Sequence, residues 1–273
     1  MTYFDAVVLG IVEGLTEFLP VSSTGHLTIA EQLLGLEVDD PSVTAFTAVI
    51  QMGAIAAVLL FFWRDILRIA AAWFRGLVKA EHRGTFDQRM GWYIIVGSVP
   101  IGIVGFLAQD LITGPLRSLW VVAAGLIGWS AVMIFAERRA SQRRGEAAMT
   151  MRDALVMGLV QCVALVPGVS RSGATISAGL LQGLERVAAT RMAFFLGIPS
   201  LTAAGLYELK DVHGVGIGQT VVGTLVSFVV AYASIAWLLR FVAHHSIGKF
   251  VPYRVGLGLL LIVLLSTGVL TAT

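Results

Sequence analysis

EGLTEFLPVSSTGH, from Glu13 to His26, and PGVSRSGATIS, from Pro167 to Ser177, place carboxylates, an imidazole, a guanidinium and a run of hydroxyls in an otherwise apolar chain. An ionisable side chain inside a membrane segment costs at least about 2.5 kcal/mol on insertion scales, so by default it marks a functional site with its partner nearby. Glu13, Glu17, His26 and Arg171 are those side chains here. The reading depends on the membrane, and composition supplies it. Hydrophobic residues make up 57% of the chain and charged residues 13%, against about 25% charged in ordinary globular domains. A soluble fold is therefore excluded in favour of a polytopic, all-α membrane protein.

Charge-free apolar stretches run from Val43 to Trp63, Gly91 to Gln109, Leu119 to Ala136, Met192 to Tyr207, Ile217 to Leu239 and Val255 to Thr273. Most approach the roughly 20 residues that a crossing helix needs, so six spans are expected. Trp63, Trp92, Tyr93, Trp120 and Tyr253 lie near their ends, where interfacial aromatics anchor. The 30 glycines suit close helix approach in lipid, where small residues replace the missing hydrophobic drive. The start, MTYFDAVVLG, lacks the basic opening of a signal peptide and is expected to remain in the mature protein. Cys162 is the only cysteine, so no intrachain disulfide forms, and it reads as a small buried apolar residue.

Sliding the chain along itself by 148 residues lays Gly10, Val12, Ser22 and Gly25 on Gly158, Val160, Ser170 and Gly173. Glu13 then meets Gln161, Thr24 meets Ser172, and Phe46 and Ile50 meet Phe194 and Ile198. Weak internal repeats of this kind are the signature of transporter-like membrane folds. Repeat 1 spans about residues 1–140 and repeat 2 about 150–273, together one membrane domain. Each holds one polar, glycine-broken segment and three spans, and three is odd, so the second repeat must be inverted. Basic residues agree. Arg64, Arg68, Arg75, Lys79, Arg83 and Arg89 crowd one loop, and Arg138, Arg139, Arg143, Arg144 and Arg152 another two spans on, placing both in the cytoplasm. The acidic connector from Glu37 to Asp40 falls outside, and Arg186, Arg240 and Lys249 fall inside.

A broken segment of about 30 residues dips in and returns as two arms of about 12 residues, each rising about 18 Å, rather than crossing. Two re-entrant hairpins are expected, with tips at Pro20 to Gly25 and Pro167 to Gly173, entering from opposite faces and meeting near the midplane. Non-helical backbone at that depth is tolerated only where protein buries it or it lines a wet cavity. That cavity is the expected site.

Glu13 and Glu17 are four apart and share a helix face, so something positive must sit between them. A shared proton, a metal ion, His26 and Arg171 all qualify, and only Arg171 is both permanently charged and expected at that depth. A purely structural acid pair buried against arginine is the plainer alternative. Ser22, Ser23, Thr24, Ser170, Ser172, Thr175 and Ser177 supply hydroxyls at the tips. Helix capping explains some of them. All seven, beside glycines and an arginine at a helix N-terminus, resemble an anion cradle, and phosphate is the anion expected. Arg171 would grip it through bidentate bonds. His26 is the only histidine expected in the site, as base, acid or nucleophile, and an adjacent alcohol activated by it would follow triad logic. His82, His213, His244 and His245 read as loop residues.

Both motifs are similar to the two signature motifs of the undecaprenyl-diphosphatase family, the bacitracin-resistance proteins, and length, repeat and span number extend the resemblance over essentially the whole chain. The resemblance implies hydrolysis of undecaprenyl diphosphate to the monophosphate, which recycles the lipid carrier for peptidoglycan synthesis and opposes bacitracin. The matching positions are Glu13, Glu17, Ser22, Ser23, Thr24, His26, Ser170, Arg171, Ser172 and Thr175, with no departure inside either motif. On this reading Glu17, Ser23, His26 and Arg171 are catalytic, with Ser23 or else His26 attacking. Ser22, Thr24, Ser170, Ser172, Gly173 and Thr175 bind substrate. Glu13, with Glu17, is assigned to a divalent cation, Mg or Ca, or to a shared proton; no organic cofactor is implied. The expected partners are a polyprenyl diphosphate lipid and the bilayer, and not nucleic acid, while a homodimer is not readable from the sequence. The bacterial cell membrane is the expected location, with the site opening to the outer face. A flippase or proton-coupled transporter of the same architecture is the main rival. A lipid phosphatase of the acid-phosphatase type would need a second site histidine followed by an aspartate, absent from the second tip, and an inert scaffold gives no reason to bury these polar groups.

Overall fold

Thr2 and Thr150, 148 residues apart, open the two polar segments in the same way. Each side chain accepts the backbone N–H of Asp5 or Asp153, and that aspartate accepts the threonine N–H, at 2.6 Å for Thr2 and 2.8 Å for Thr150. These reciprocal capping boxes satisfy the donors that a helix start leaves over. The computed structural model describes residues 1–38, 40–208 and 216–272. His213 lies outside them, as do parts of the Glu37 to Asp40 connector and of the Val255 to Thr273 stretch.

The first hairpin is α1 (Tyr3–Thr16) followed by α2 (Ser23–Leu33). Next come α3 (Pro41–Phe61), α4 (Trp63–Val78), α5 (Phe86–Leu107), a short α6 (Gln109–Thr113) and α7 (Leu119–Arg139). The second hairpin is α8 (Met151–Gln161) and α9 (Arg171–Leu181), and α10 (Arg186–Glu208), α11 (Ile217–His244) and α12 (Val251–Ser266) complete the chain. The hairpin arms have 14 and 11 residues in the first and 11 in each arm of the second. At 1.5 Å per residue none is longer than about 21 Å, short of the hydrocarbon core of about 30 Å. Among the described residues six helices are long and apolar enough to cross a membrane, and they fall where the apolar stretches predict.

Three expectations change. The first basic loop contains an amphipathic helix, α4, which packs on α5 with Ile69 and Gly76 buried and leaves Leu67, Phe74 and Leu77 exposed. The last span starts at Ile247, where one tight helical turn leads into α12, and closes at Ser266, two residues before Gly268 turns with a positive φ of 73°. His244 ends α11 rather than lying in a loop.

Small residues set the packing. α11 runs against α1 and α3, and α5 runs against α8 and α10, so exchanging the two halves of the chain exchanges these pairs. A Cβ on Gly10 would sit 2.6 Å from the Gly223 carbonyl oxygen, and one on Gly158 would overlap that of Gly97. The core gathers Phe18, Phe62, Phe194 and Phe195, with Phe18 edge-on to Phe194 at 5.4 Å, tying the first tip to α10. Large apolar side chains such as Phe106, Ile217 and Leu259 are exposed, as a lipid-facing surface requires.

The hairpins open at opposite ends of α7. At its start, Leu119 N–H donates to the Ala272 carbonyl, and Gln32, at the base of the first hairpin, donates to that of Thr271. Beyond its other end, Arg144 pairs with Asp153 at 2.5 Å at the base of the second hairpin, and Arg186 pairs with Glu137. Cys162 is half-buried rather than fully enclosed.

Candidate active site

The two tips are unwound in the same way. Between α1 and α2 the chain turns through Pro20 into Ser22, with φ 77°; between α8 and α9 it passes Gly168, φ 90°, into Ser170, φ 76°. Positive φ is free for glycine but costs a residue with a Cβ about 1–3 kcal/mol, which persists only where the surroundings hold it. Those surroundings are mutual. Gly168 N–H donates to Ser22 Oγ at 3.1 Å, and Ser172 Oγ donates to the Leu19 carbonyl at 2.9 Å. Ser170 Oγ accepts the Gly173 N–H at 3.2 Å, while Thr175 and Ser177 return their hydroxyls to the carbonyls of Arg171 and Gly173. Ser22, Ser170, Ser172, Thr175 and Ser177 are all buried. Ser22, Ser170 and Ser172 stitch the tips together, Thr175 and Ser177 bond within α9, and none of the five lines the cavity described next.

Glu17, just past α1, is buried and bridges the hairpins. Its Oε1 accepts Arg171 Nη2 at 2.8 Å, and its Oε2 accepts the Ser23 hydroxyl at 2.5 Å. Arg171 therefore sits on Glu17. Its room comes from Gly197 on α10, where a Cβ would overlap the guanidinium. Ser23 faces a cavity of about 180 Å³, lined also by Glu13, Thr24, Thr28, Glu31, Thr44, Gln51 and Arg117.

His26 points elsewhere. Nδ1 lies 2.7 Å from the Ser22 carbonyl, which only accepts, so this nitrogen carries the proton; in the neutral ring Nε2 then accepts the Tyr253 hydroxyl at 2.6 Å. The alcohol activated by histidine expected from the sequence is thus replaced by an alcohol on a carboxylate, Ser23 on Glu17.

Four contributors were hidden in the sequence. Tyr253 reads as an interfacial anchor. Arg254 follows it and falls one residue outside the last apolar stretch, yet it is fully buried. Gly197 is one glycine among 30. Glu31 is buried on α2, and its spacing from Thr24 and Thr28 was the available sign that it shares their face.

These features define a class: a polytopic helical membrane protein in which two short hairpins meet tip to tip over a serine, a carboxylate and an arginine. The chain belongs to the bacitracin resistance protein BacA family, whose model matches residues 6–260. It is 58% identical to an undecaprenyl-diphosphatase of Acidothermus cellulolyticus, over 100% of both chains. Identity is 59% to undecaprenyl-diphosphatase 1 of Streptomyces coelicolor, over 97% of each chain, and 50% to an undecaprenyl-diphosphatase of Cutibacterium acnes, over 100% of both.

Proposed function

We propose that this protein hydrolyses undecaprenyl diphosphate to undecaprenyl phosphate and inorganic phosphate, returning the lipid carrier to peptidoglycan synthesis and opposing bacitracin. The observation that carries the reading is Glu17 held between Arg171 and Ser23. A diphosphate entering the cavity competes with Glu17 for Arg171, because its oxygens accept the same bidentate fork. The carboxylate so released takes the Ser23 proton as Ser23 Oγ bonds to the terminal phosphorus. The bond from that phosphorus to the bridging oxygen breaks, and undecaprenyl phosphate leaves. Water then attacks the phosphoserine; Glu17 returns its proton to Ser23 as the Oγ–phosphorus bond breaks, and inorganic phosphate departs carrying both protons of the water. Positioning and charge complementarity do most of the work, as is general in phosphoryl transfer.

The residues present fit a divalent cation bound together with substrate. Glu13 and Glu31 are buried carboxylates on one cavity, beside the oxygens of Thr28, Thr44 and Gln51. No cluster of three or more metal-ligating His, Cys, Asp or Glu occurs among the described residues, but magnesium commonly takes one or two carboxylates plus substrate phosphates. Bound there, the cation would neutralise diphosphate oxygens. Glu17, engaged by Arg171 and Ser23, is then a proton carrier and Glu31 the second carboxylate of the pair.

Counting basic residues assigns α4 and the C-terminal end of α7 to the cytoplasmic side. The hairpins opening at opposite ends of α7 then enter the membrane from opposite faces as inverted repeats, and the first, which carries Ser23, opens outward. Substrate would come from the outer leaflet of the bacterial cell membrane. A homodimer is not required, since both tips come from one chain.

The test uses purified protein in detergent with a polyprenyl diphosphate. Arg171→Ala should abolish phosphate release while leaving the thermal unfolding temperature near that of the parent, and near-normal hydrolysis would overturn the assignment. A parent protein that releases no phosphate at all, yet moves the lipid between leaflets, would instead support the transporter reading.

A further inference from the structure

We propose that Arg254, on α12, is the positioning residue that sets the two tips in catalytic register. Its side chain is fully buried, and all its hydrogen-bond partners among the described residues are neutral. Nη1 donates to the Pro20 carbonyl at 2.9 Å, and Nη2 donates to the carbonyls of Gly168 at 2.8 Å and Val169 at 3.1 Å. Nε donates to Ser130 Oγ at 3.1 Å, and Nη2 also lies 3.4 Å from the carbonyls of Gly125 and Leu126, which fixes the group on α7.

A buried charge with no counter-charge is expensive, several kcal/mol even after relaxation. Packing alone would be served better by leucine or methionine. What the guanidinium does, and an apolar side chain cannot, is satisfy carbonyls that have left the helix pattern at both tips at once. Pro20 stands three residues before Ser23. Gly168 and Val169 stand just before Ser170 and Arg171. One planar, rigid fork therefore ties the backbone that carries the proposed nucleophile to the backbone that carries the phosphate grip. It also holds in place the two serines with positive φ, whose strain would otherwise open the turn. Arg254 is fully buried, with its donors on backbone carbonyls and the Ser130 hydroxyl, so it acts through the tips and touches no substrate.

This inference rests on the hydrolase reading, and the experiment separates the two. Arg254→Lys and Arg254→Ala are purified as full chains, and kcat, KM and pH profile are measured with a polyprenyl diphosphate beside thermal unfolding. Lysine keeps the charge but presents one nitrogen, which cannot span Pro20 and Gly168 together. Arg254→Lys should fold and keep KM, with kcat down by about 10²-fold, the cost of misplacing reacting groups by about 1 Å. Its pH profile should be unchanged, because no titrating group is lost. Added guanidinium ion should restore part of kcat in Arg254→Ala. Parent-like kcat in the lysine variant, a loss confined to KM, a shifted pH profile or no guanidinium rescue would each overturn the proposal. If neither variant folds, Arg254 is a general folding requirement and the assignment also falls. A parent protein that hydrolyses nothing would count against the hydrolase reading instead.

Discussion

Gly197 shows how a single hydrogen decides chemistry. Replacing an interior helix glycine with alanine ordinarily favours the helix by about 1 kcal/mol. Here the added methyl would overlap the Arg171 guanidinium and push it off Glu17. Gly197→Ala is therefore expected to lose most phosphate release while its helix content by circular dichroism stays at the parental level; full activity would show that Arg171 has room to move. The pairing of Ser23 with Glu17 makes a second prediction. Glu17→Gln should slow both formation and breakdown of a phosphoserine, whereas Ser23→Ala should form none; mass spectrometry after an acid quench distinguishes them, and a phosphorylated imidazole at His26 would reassign the nucleophile. Glu13, Glu17, Arg171 and the motif hydroxyls were legible from their cost in lipid, whereas Glu31 and Arg254 were not. Which hydroxyl meets which carboxylate was not, because Ser22 and Ser23 are adjacent in sequence and only the strained turn sends one to the Gly168 N–H and the other to Glu17.

At the level of elements, α1 depends on glycine for its approach to α11. A Cβ on Gly14 would lie 2.6 Å from the Ser227 carbonyl and 2.9 Å from the Ala231 nitrogen, backbone atoms that cannot swing aside. Gly14→Val should destabilise the protein by about 1–3 kcal/mol, the usual cost of overpacking, and lower its unfolding temperature in detergent. A parental temperature would mean that α1 is free to shift. Helix number, the broken segments and the offset of 148 were readable from periodicity and self-comparison, since hydropathy reports what faces lipid. The amphipathic α4 was masked by its arginines, which read as loop until their spacing on one helix face is seen.

For the whole molecule, the end carrying the basic residues is held by a network that joins separate elements. Arg191 on α10 bonds Asp65 on α4 at 3.0 Å and Glu146 at 2.8 Å, and Arg68 bonds both Asp65 and Asp87. Burial would raise the Asp65 carboxyl, but the hydrogen bonds and charges of Arg68 and Arg191 outweigh it and hold Asp65 below the usual carboxylate range. A group depressed on folding stabilises above its unfolded pKa, about 3.9 for aspartate, and loses that contribution as pH falls through its folded value. Thermal stability should therefore decline below about pH 4, and Asp65→Asn should shrink the part of that decline it causes. An identical pH profile in the variant would remove Asp65 from the network's contribution.

By itself the sequence determined that this is a helical membrane protein of six spans and two polar interruptions, because the cost of a charge or an unpaired backbone group in lipid is visible residue by residue. It also marked the side chains that must meet. The tertiary structure alone decided how they meet: Arg171 on Glu17, Ser23 on the same carboxylate, His26 turned to Tyr253, and Arg254 clamping both tips. The reason is that each of these contacts joins residues from different helices or hairpins, or depends on a strained turn, and neither distance in space nor backbone strain leaves a periodic trace in the chain.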